Sequence, residues 1–276
     1  MATWGSLSAA ARTRFTILAL ALAVALGTLT GCATRPGSFT TVQAPAIRER
    51  ALAHFQRAFY LKPAETNNAT VPARQLAPLL IIEAPDPTAL PDLPTKATRP
   101  QIFYQSGRTT GSGKPHEQMT YWWTYPNSSR RNRGGVTTQG IRITLNSAGR
   151  PVIWEVLANT SGAQVIFVAQ SLEAQTAREF GAPLAGRQFT IERPLSDAPK
   201  VVVARVIEDG PETMGPIVYL QAGKRDVTTI ICRCMAAQAS ELAGQREYDL
   251  VAAPKGSLDA PQLGEIERRL RLPENF

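Results

Sequence analysis

The chain has 276 residues, a formal net charge of +8, three cysteines and two histidines. This length suits one large domain or two small ones. A tetrahedral metal site usually needs four ligands, so two histidines exclude a site built from histidine alone.

Residues 1–29 have the pattern of an export signal. They carry Arg12 and Arg14 but no acidic residue, and an uncharged run follows from Phe15 to about Leu29. Such a run is short for a membrane-spanning helix, which needs about 20 apolar residues. A basic start, an apolar middle and small residues at the end are typical of a secretory signal peptide.

The end of this segment is more specific. Leu29-Thr30-Gly31-Cys32 resembles the lipobox of bacterial lipoproteins, and the resemblance covers residues 1–35 alone. It implies that Cys32 receives a thioether-linked lipid and, after cleavage, becomes an N-terminus with an amide-linked acyl chain. Two or more chains make attachment to a lipid bilayer stable. An ordinary secretory signal or an anchor helix with a chance cysteine remains the alternative.

Two further expectations follow from the resemblance. Ala33 follows the cysteine, where lipoproteins retained at the inner membrane usually carry aspartate, so we expect an outer-membrane protein facing the periplasm. Loss of residues 1–31 removes two arginines and leaves a net charge of +6. An exported protein rarely meets nucleic acid, so this charge favours an anionic lipid surface or a merely soluble surface.

The chain divides into four predicted segments. Residues 1–31 are the lipoprotein signal peptide, and residues 32–45 are typical of a flexible tether. Residues 46–100 hold an amphipathic helix that ends at Pro63, a short buried strand and a proline-rich connector. Residues 101–276 form a strand-rich α+β domain.

Nine runs after residue 100 are rich in β-branched or aromatic residues and have turn residues between them, which predicts strands. They are QIFYQ, EQMTYWWTYP, GIRITL, RPVIWEVL, AQVIFVAQ, RQFTIER, KVVVARVIE, GPIVYLQ and DVTTIICRC. The turn Asn146–Gly149 joins the third and fourth runs in a predicted hairpin, with Gly149 at positive φ.

Three helices are predicted among these strands. The first covers residues 171–181 with Ser171 as its N-cap, and the others cover residues 235–244 and 259–272. We therefore expect the α+β class, with a largely antiparallel β-sheet and a few marginal helices.

Cys232 and Cys234 are candidates for thiol or metal chemistry. Two residues apart in a strand, their side chains point to one face, and with His116 or another donor they could form part of a soft metal site. The same spacing puts the α-carbons near the upper limit for a disulfide. Burial as small apolar side chains is the other interpretation.

His116 and Glu117 are weak candidates for a general acid or base. A solvent-exposed loop histidine is the alternative. The preceding Gly113-Lys114-Pro115 lacks the glycine spacing and the hydroxyl residue of a phosphate-binding loop. We therefore expect no cofactor.

The run MTYWWTY places Met119, Tyr121, Trp123 and Tyr125 on one face of a strand and Trp122 on the other. Tyr121, Trp122 and Trp123 are candidates for stacking on a sugar ring, since an exported protein lies beside peptidoglycan. Core packing is the alternative, because most strand aromatics pack in sheets.

Three functions remain open. The first is a non-catalytic binding or assembly module with an envelope protein or peptidoglycan as its partner. The second is a periplasmic hydrolase acting on envelope material. The third is a thiol- or metal-handling protein that uses Cys232 and Cys234. The first is favoured because the sequence shows no complete catalytic constellation.

Overall fold

An eleven-stranded sheet makes up most of the part of the chain that the structure describes. The structure is a computed structural model that describes residues 59–65, 68–82, 97–109, 114–125, 138–158, 164–194, 201–221, 225–232, 245–253 and 273. The strands are β1 (Phe59–Pro63), β2 (Leu79–Ile82), β3 (Gln101–Arg108), β4 (Glu117–Thr124), β5 (Thr138–Leu145), β6 (Pro151–Val156), β7 (Gln164–Ala169), β8 (Val201–Ile207), β9 (Pro216–Leu220), β10 (Val227–Cys232) and β11 (Gln245–Ala252). The helices within these ranges are α1 (Val71–Gln75), α2 (Gln170–Phe180) and a 3₁₀ turn (Thr190–Glu192). The described residues are therefore mainly β, as the strand-rich sequence predicts. Among them, no helix has the length and apolar character needed to cross a membrane.

The strand order is β10-β9-β2-β1-β11-β3-β4-β5-β6-β7-β8. Strands β3 to β7 form an antiparallel meander, in which each strand pairs with the next along the chain. The pairs β1–β2 and β9–β10 are also antiparallel. Four other pairs are parallel: β1–β11, β3–β11, β2–β9 and β7–β8. The sheet is thus more antiparallel than parallel among the described strands, as expected, but it is mixed.

The main core links strands from across the sheet, and on β6 it includes the consecutive residues Val152 to Trp154, whose side chains point to both faces. Its members come from strands at both ends of the order, including Ile141 on β5, Val218 on β9 and Ile230 on β10, all fully buried. The two edge strands, β8 and β10, also approach each other. The sheet therefore curls around the main core.

The β5–β6 hairpin confirms the predicted turn. Gly149 has a φ of +72°, a conformation that other residues adopt only at a cost. The Asn146 side-chain oxygen accepts hydrogen bonds from the backbone N–H groups of Ala148 and Arg150, at 3.0 and 2.9 Å. These local bonds fix the turn and bring β5 and β6 together.

Two tyrosines of the sheet hold the segment that joins β1 to β2, which contains helix α1. The Tyr121 hydroxyl donates to the Ala73 carbonyl at 2.7 Å, and the Tyr248 hydroxyl donates to the Pro78 carbonyl at 2.6 Å. A Cβ at Gly215 would overlap the Ala77 carbonyl oxygen. Only glycine allows this close approach, so the segment that joins β1 to β2 is held tightly.

Four sequence predictions need correction. The helix predicted to end at Pro63 is wrong over Phe59–Pro63, which is strand β1, and its earlier residues lie outside the described ranges. The run RQFTIER is not a strand, and it contains the 3₁₀ turn Thr190–Glu192. Strand β11 was not predicted. Helix α2 was predicted correctly, but its N-cap is Ala169 and not Ser171.

The strand predicted before the proline-rich connector is confirmed as β2, whose residues are all buried. It pairs with β1 and β9 in the same sheet as β3 to β8. The helices predicted at 235–244 and 259–272 lie outside the described residues, as do residues 1–45.

Candidate functional site

The aromatic strand β4 lies in the middle of the sheet, between β3 and β5. Tyr121 and Trp123 are fully buried and belong to the main core. Trp122 is 5% exposed and stacks on Phe103 of β3, with ring centroids 5.8 Å apart. None of these three rings therefore presents a free face for a sugar in this structure. They are core side chains, which is the alternative that the sequence leaves open.

A buried polar cluster continues from this strand at its C-terminal end. The Trp123 indole N–H donates to the Tyr125 hydroxyl at 2.9 Å, and the Arg225 guanidinium carbon lies 4.5 Å from the centre of the Tyr125 ring. The Gln139 amide donates to the Ala158 carbonyl at 2.6 Å and also contacts the Arg225 carbonyl at 3.4 Å. We call Trp123, Tyr125, Gln139 and Arg225 the arginine cluster.

The arginine cluster holds a permanent positive charge against a neutral phenol. Burial raises the pKa of Tyr125 above its usual range, and the hydrogen bond from Trp123 and the charge of Arg225 oppose that rise. Tyr125 is therefore protonated at neutral pH. A cation over an aromatic ring is an attractive arrangement, and it is stronger away from water. The cluster is suited to holding β4, β5 and the β9–β10 connection together, and not to moving protons.

Arg225 and Gln139 were not singled out from the sequence. Arg225 has a φ of +62°, which is uncommon for a residue other than glycine. It lies between β9 and β10 in the sequence, far from Tyr125, so no local pattern indicates the contact. A basic residue in a turn is normally solvent-exposed, whereas Arg225 is 4% exposed.

His116 and Glu117 lie where β4 begins, at the opposite end of the strand from Tyr125. His116 and Trp123 are seven positions apart in the sequence, which corresponds to roughly 20 Å along a strand. The backbone N–H of His116 donates to the Thr109 hydroxyl at 2.8 Å. His116 therefore belongs to the β3–β4 hairpin and shares no cleft with the arginine cluster.

The environments of these two residues differ. Glu117 is exposed and lies 3.6 Å from Arg108, its direct partner on β3. His116 is half-buried, not exposed, and burial lowers the pKa of its imidazole below 6.5. A hydrogen bond to the Leu145 backbone opposes this shift, and the nearby Lys114 charge adds to it. The imidazole is therefore neutral at pH 7.

Neighbouring residues on an extended chain point to opposite sides. The Glu117 carboxylate consequently faces Arg108 and is not placed to orient the His116 ring. The structure thus gives His116 a neutral ring but no carboxylate partner from Glu117. A role for either residue in catalysis stays a prediction.

Cys232 is the last residue of β10, at one edge of the sheet. Its side chain and the whole of Cys234 lie outside the described residues. The described ranges contain no group of three or more histidine, cysteine, aspartate and glutamate residues that could hold a metal ion. Thiol or metal chemistry at the two cysteines stays a prediction.

Several acidic side chains stabilise the fold directly. Glu155 binds Arg142 in a buried ion pair, and Gln164 donates to the same carboxylate at 3.1 Å. Glu173 accepts from two backbone N–H groups of the 3₁₀ turn, at 2.6 and 3.1 Å. Asp209 accepts from the Ser171 backbone and hydroxyl at 2.8 and 2.6 Å. These carboxylates hold elements together.

Comparison with known protein families, characterised proteins and solved structures finds no match to this chain.

Proposed function

We propose that the chain is a bacterial envelope lipoprotein, anchored in a lipid bilayer through an acylated Cys32. The observation that supports this is the sequence Leu29-Thr30-Gly31-Cys32 after an uncharged run and two arginines. Cysteine supplies the thiolate that takes the lipid, and small residues before it admit the backbone to the peptidase. Ala33 favours the periplasmic side of the outer membrane.

The domain is then a non-catalytic binding or assembly module. This part of the proposal is supported by how the described polar groups are used. Glu155, Glu173 and Asp209 each hold fold elements together, and the arginine cluster is buried. An envelope protein or peptidoglycan is the expected partner, and nucleic acid is not.

The α+β class belongs to the same proposal. Helix α2 packs against β7 and β8 and adds one helical element to the sheet. The further helices predicted at 235–244 and 259–272 would move the chain from a mainly β to an α+β architecture.

Metabolic labelling with a clickable fatty acid tests the anchor. The unsubstituted chain should incorporate the label and fractionate with membranes. The Cys32→Ser variant should lose both properties, while the matched Cys232→Ser and Cys234→Ser variants should keep them. Equal labelling of all four chains, or none in any, would contradict the proposal.

A hydrolase acting on envelope material is the second candidate. The observation that favours it is the half-buried, neutral imidazole of His116, which is the state required of a general base. Replacing His116 with alanine should abolish any hydrolysis of peptidoglycan fragments by the purified chain, whereas Glu117→Gln should have a smaller effect. Failure of the unsubstituted chain to release any product would contradict this candidate and leave the first intact.

A further inference from the structure

The two edge strands of the sheet meet without pairing. Strands β8 and β10 stand at opposite ends of the strand order, yet their Cα atoms come within 8 Å of each other. Paired strands lie about 4.8 Å apart and are joined by backbone hydrogen bonds. We call this meeting of β8 and β10 the seam. Among the described strands, every pair of neighbours in the strand order is joined by backbone hydrogen bonds. The pair β8 and β10, which meets when the sheet curls, is not.

Each seam strand carries an irregularity in its ladder with the strand beside it. On β8, Val203 and Arg205 face consecutive residues of β7, so Ala204 is an extra residue. On β10, Val227 and Thr229 face consecutive residues of β9, so Thr228 is an extra residue. Such bulges bend a strand and hinder pairing at its free edge. The sequence therefore keeps the seam from closing into a regular ladder.

The two sides of the seam are held unequally. Strand β8 is paired with β7 and is also in contact with α2, which connects those two strands. Strand β10 is paired with β9, and β9 is the one described strand that forms a ladder with it. Among the described elements, the contact with α2 therefore adds support to β8 beyond its one ladder.

Core residues lie directly behind the seam. Ile230 on β10 and Val218 on β9 are fully buried members of the main core. On β8, Val201 and Val203 are buried members of the same core, while Val202 between them points to the opposite face and is 43% exposed.

We propose that the sheet opens locally at the seam, with β10 separating from β8 and exposing the core around Ile230. The antiparallel meander β3–β7 stays folded during this opening. Regions with few ladder bonds open more often than the rest of a protein, because less interaction is lost. The opening lets solvent and small thiol reagents reach the apolar core without global unfolding of the protein.

Two isoleucines provide a matched test. Ile230 on β10 and Ile141 on β5 are both 0% exposed and belong to the same core. Each is replaced with cysteine in a full-length chain whose Cys32, Cys232 and Cys234 are serine, and the rate of thiol modification is measured without denaturant. The Ile230→Cys thiol should react at least about tenfold faster, and low urea should hardly change its rate, because a local opening exposes little surface.

Hydrogen exchange of the unsubstituted chain keeps the proposal testable if a cysteine variant does not fold. Amides of β10 that bond to β9 should exchange faster than amides of β5 that bond to β4. The proposal would be overturned if the amides of β10 and β5 were equally protected from exchange. It would also be overturned if the two thiols reacted at equal rates and both rates depended strongly on urea.

Discussion

Arg142 and Glu155 face each other across β5 and β6 and form a buried ion pair with two parallel hydrogen bonds. The guanidinium Nε lies 2.5 Å from one carboxylate oxygen and a terminal nitrogen lies 2.7 Å from the other. Both side chains are almost fully buried, at 3% and 2% exposed. A buried charge is destabilising unless an opposite charge neutralises it. Removing either Arg142 or Glu155 therefore leaves the other residue as an unpaired buried charge.

Glu155→Ala should therefore lower the free energy of unfolding by about 3–5 kcal/mol, as measured by urea denaturation. The control is Glu117→Ala, which removes an exposed partner of Arg108 and should change stability by less than about 1 kcal/mol. A similar small effect for both variants would show that the buried pair contributes little.

Tyr121→Phe and Tyr248→Phe should each destabilise the protein by about 1–3 kcal/mol, because a buried carbonyl loses its donor. The acceptors are the carbonyls of Ala73 and Pro78. The two variants should also increase hydrogen exchange in α1. Tyr104→Phe, a change on a half-buried ring, is the control and should leave α1 unchanged. If Tyr104→Phe destabilised the protein as much as the other two variants, the two hydroxyls would not be what holds the segment between β1 and β2.

His116 should make stability fall in acid. Its pKa in the folded chain lies below the usual 6.5, since burial disfavours the charged ring. The unfolded chain therefore binds the proton more readily, and the contribution present above pH 6.5 is lost as pH falls through the folded pKa. Urea titrations at several pH values should show a smaller loss for His116→Gln. Parallel pH profiles for the two proteins would contradict this account of His116.

Gly149→Ala should cost about 1–2 kcal/mol, because alanine is strained at a φ of +72°. Gly107→Ala on the exposed end of β3 is the control. A Cβ there meets nothing within 4 Å, and the change should be neutral or slightly stabilising. Thermal unfolding measures both, and equal costs would mean that the turn geometry is not what selects Gly149.

Much of the sheet follows from the sequence because alternation of side chains is a local property. The runs around Tyr121, Ile143 and Val203 predict their strands, and Asn146–Gly149 predicts its turn. Strand β11 was missed because charged residues dominate its outward positions, including Glu247 and Asp249. In the folded chain Arg99 lies 3.0 and 3.6 Å from their carboxylates.

Long-range contacts account for the other errors. The run RQFTIER has β-branched and aromatic residues, but the carboxylate of Glu173 binds the backbone of Thr190 and Ile191 and favours a tight turn there. The arginine cluster likewise depends on a contact between Tyr125 and Arg225, which are 100 residues apart in the sequence. Neither contact leaves a periodic signal.

The N-terminal peptide of the purified full-length chain gives the most direct test of the lipoprotein proposal. Mass spectrometry should find Cys32 as the first residue, with the added mass of a diacylglyceryl group and an amide-linked acyl chain. A peptide that begins at Met1, or one that begins at Cys32 without acyl mass, would contradict the anchor and the envelope location together.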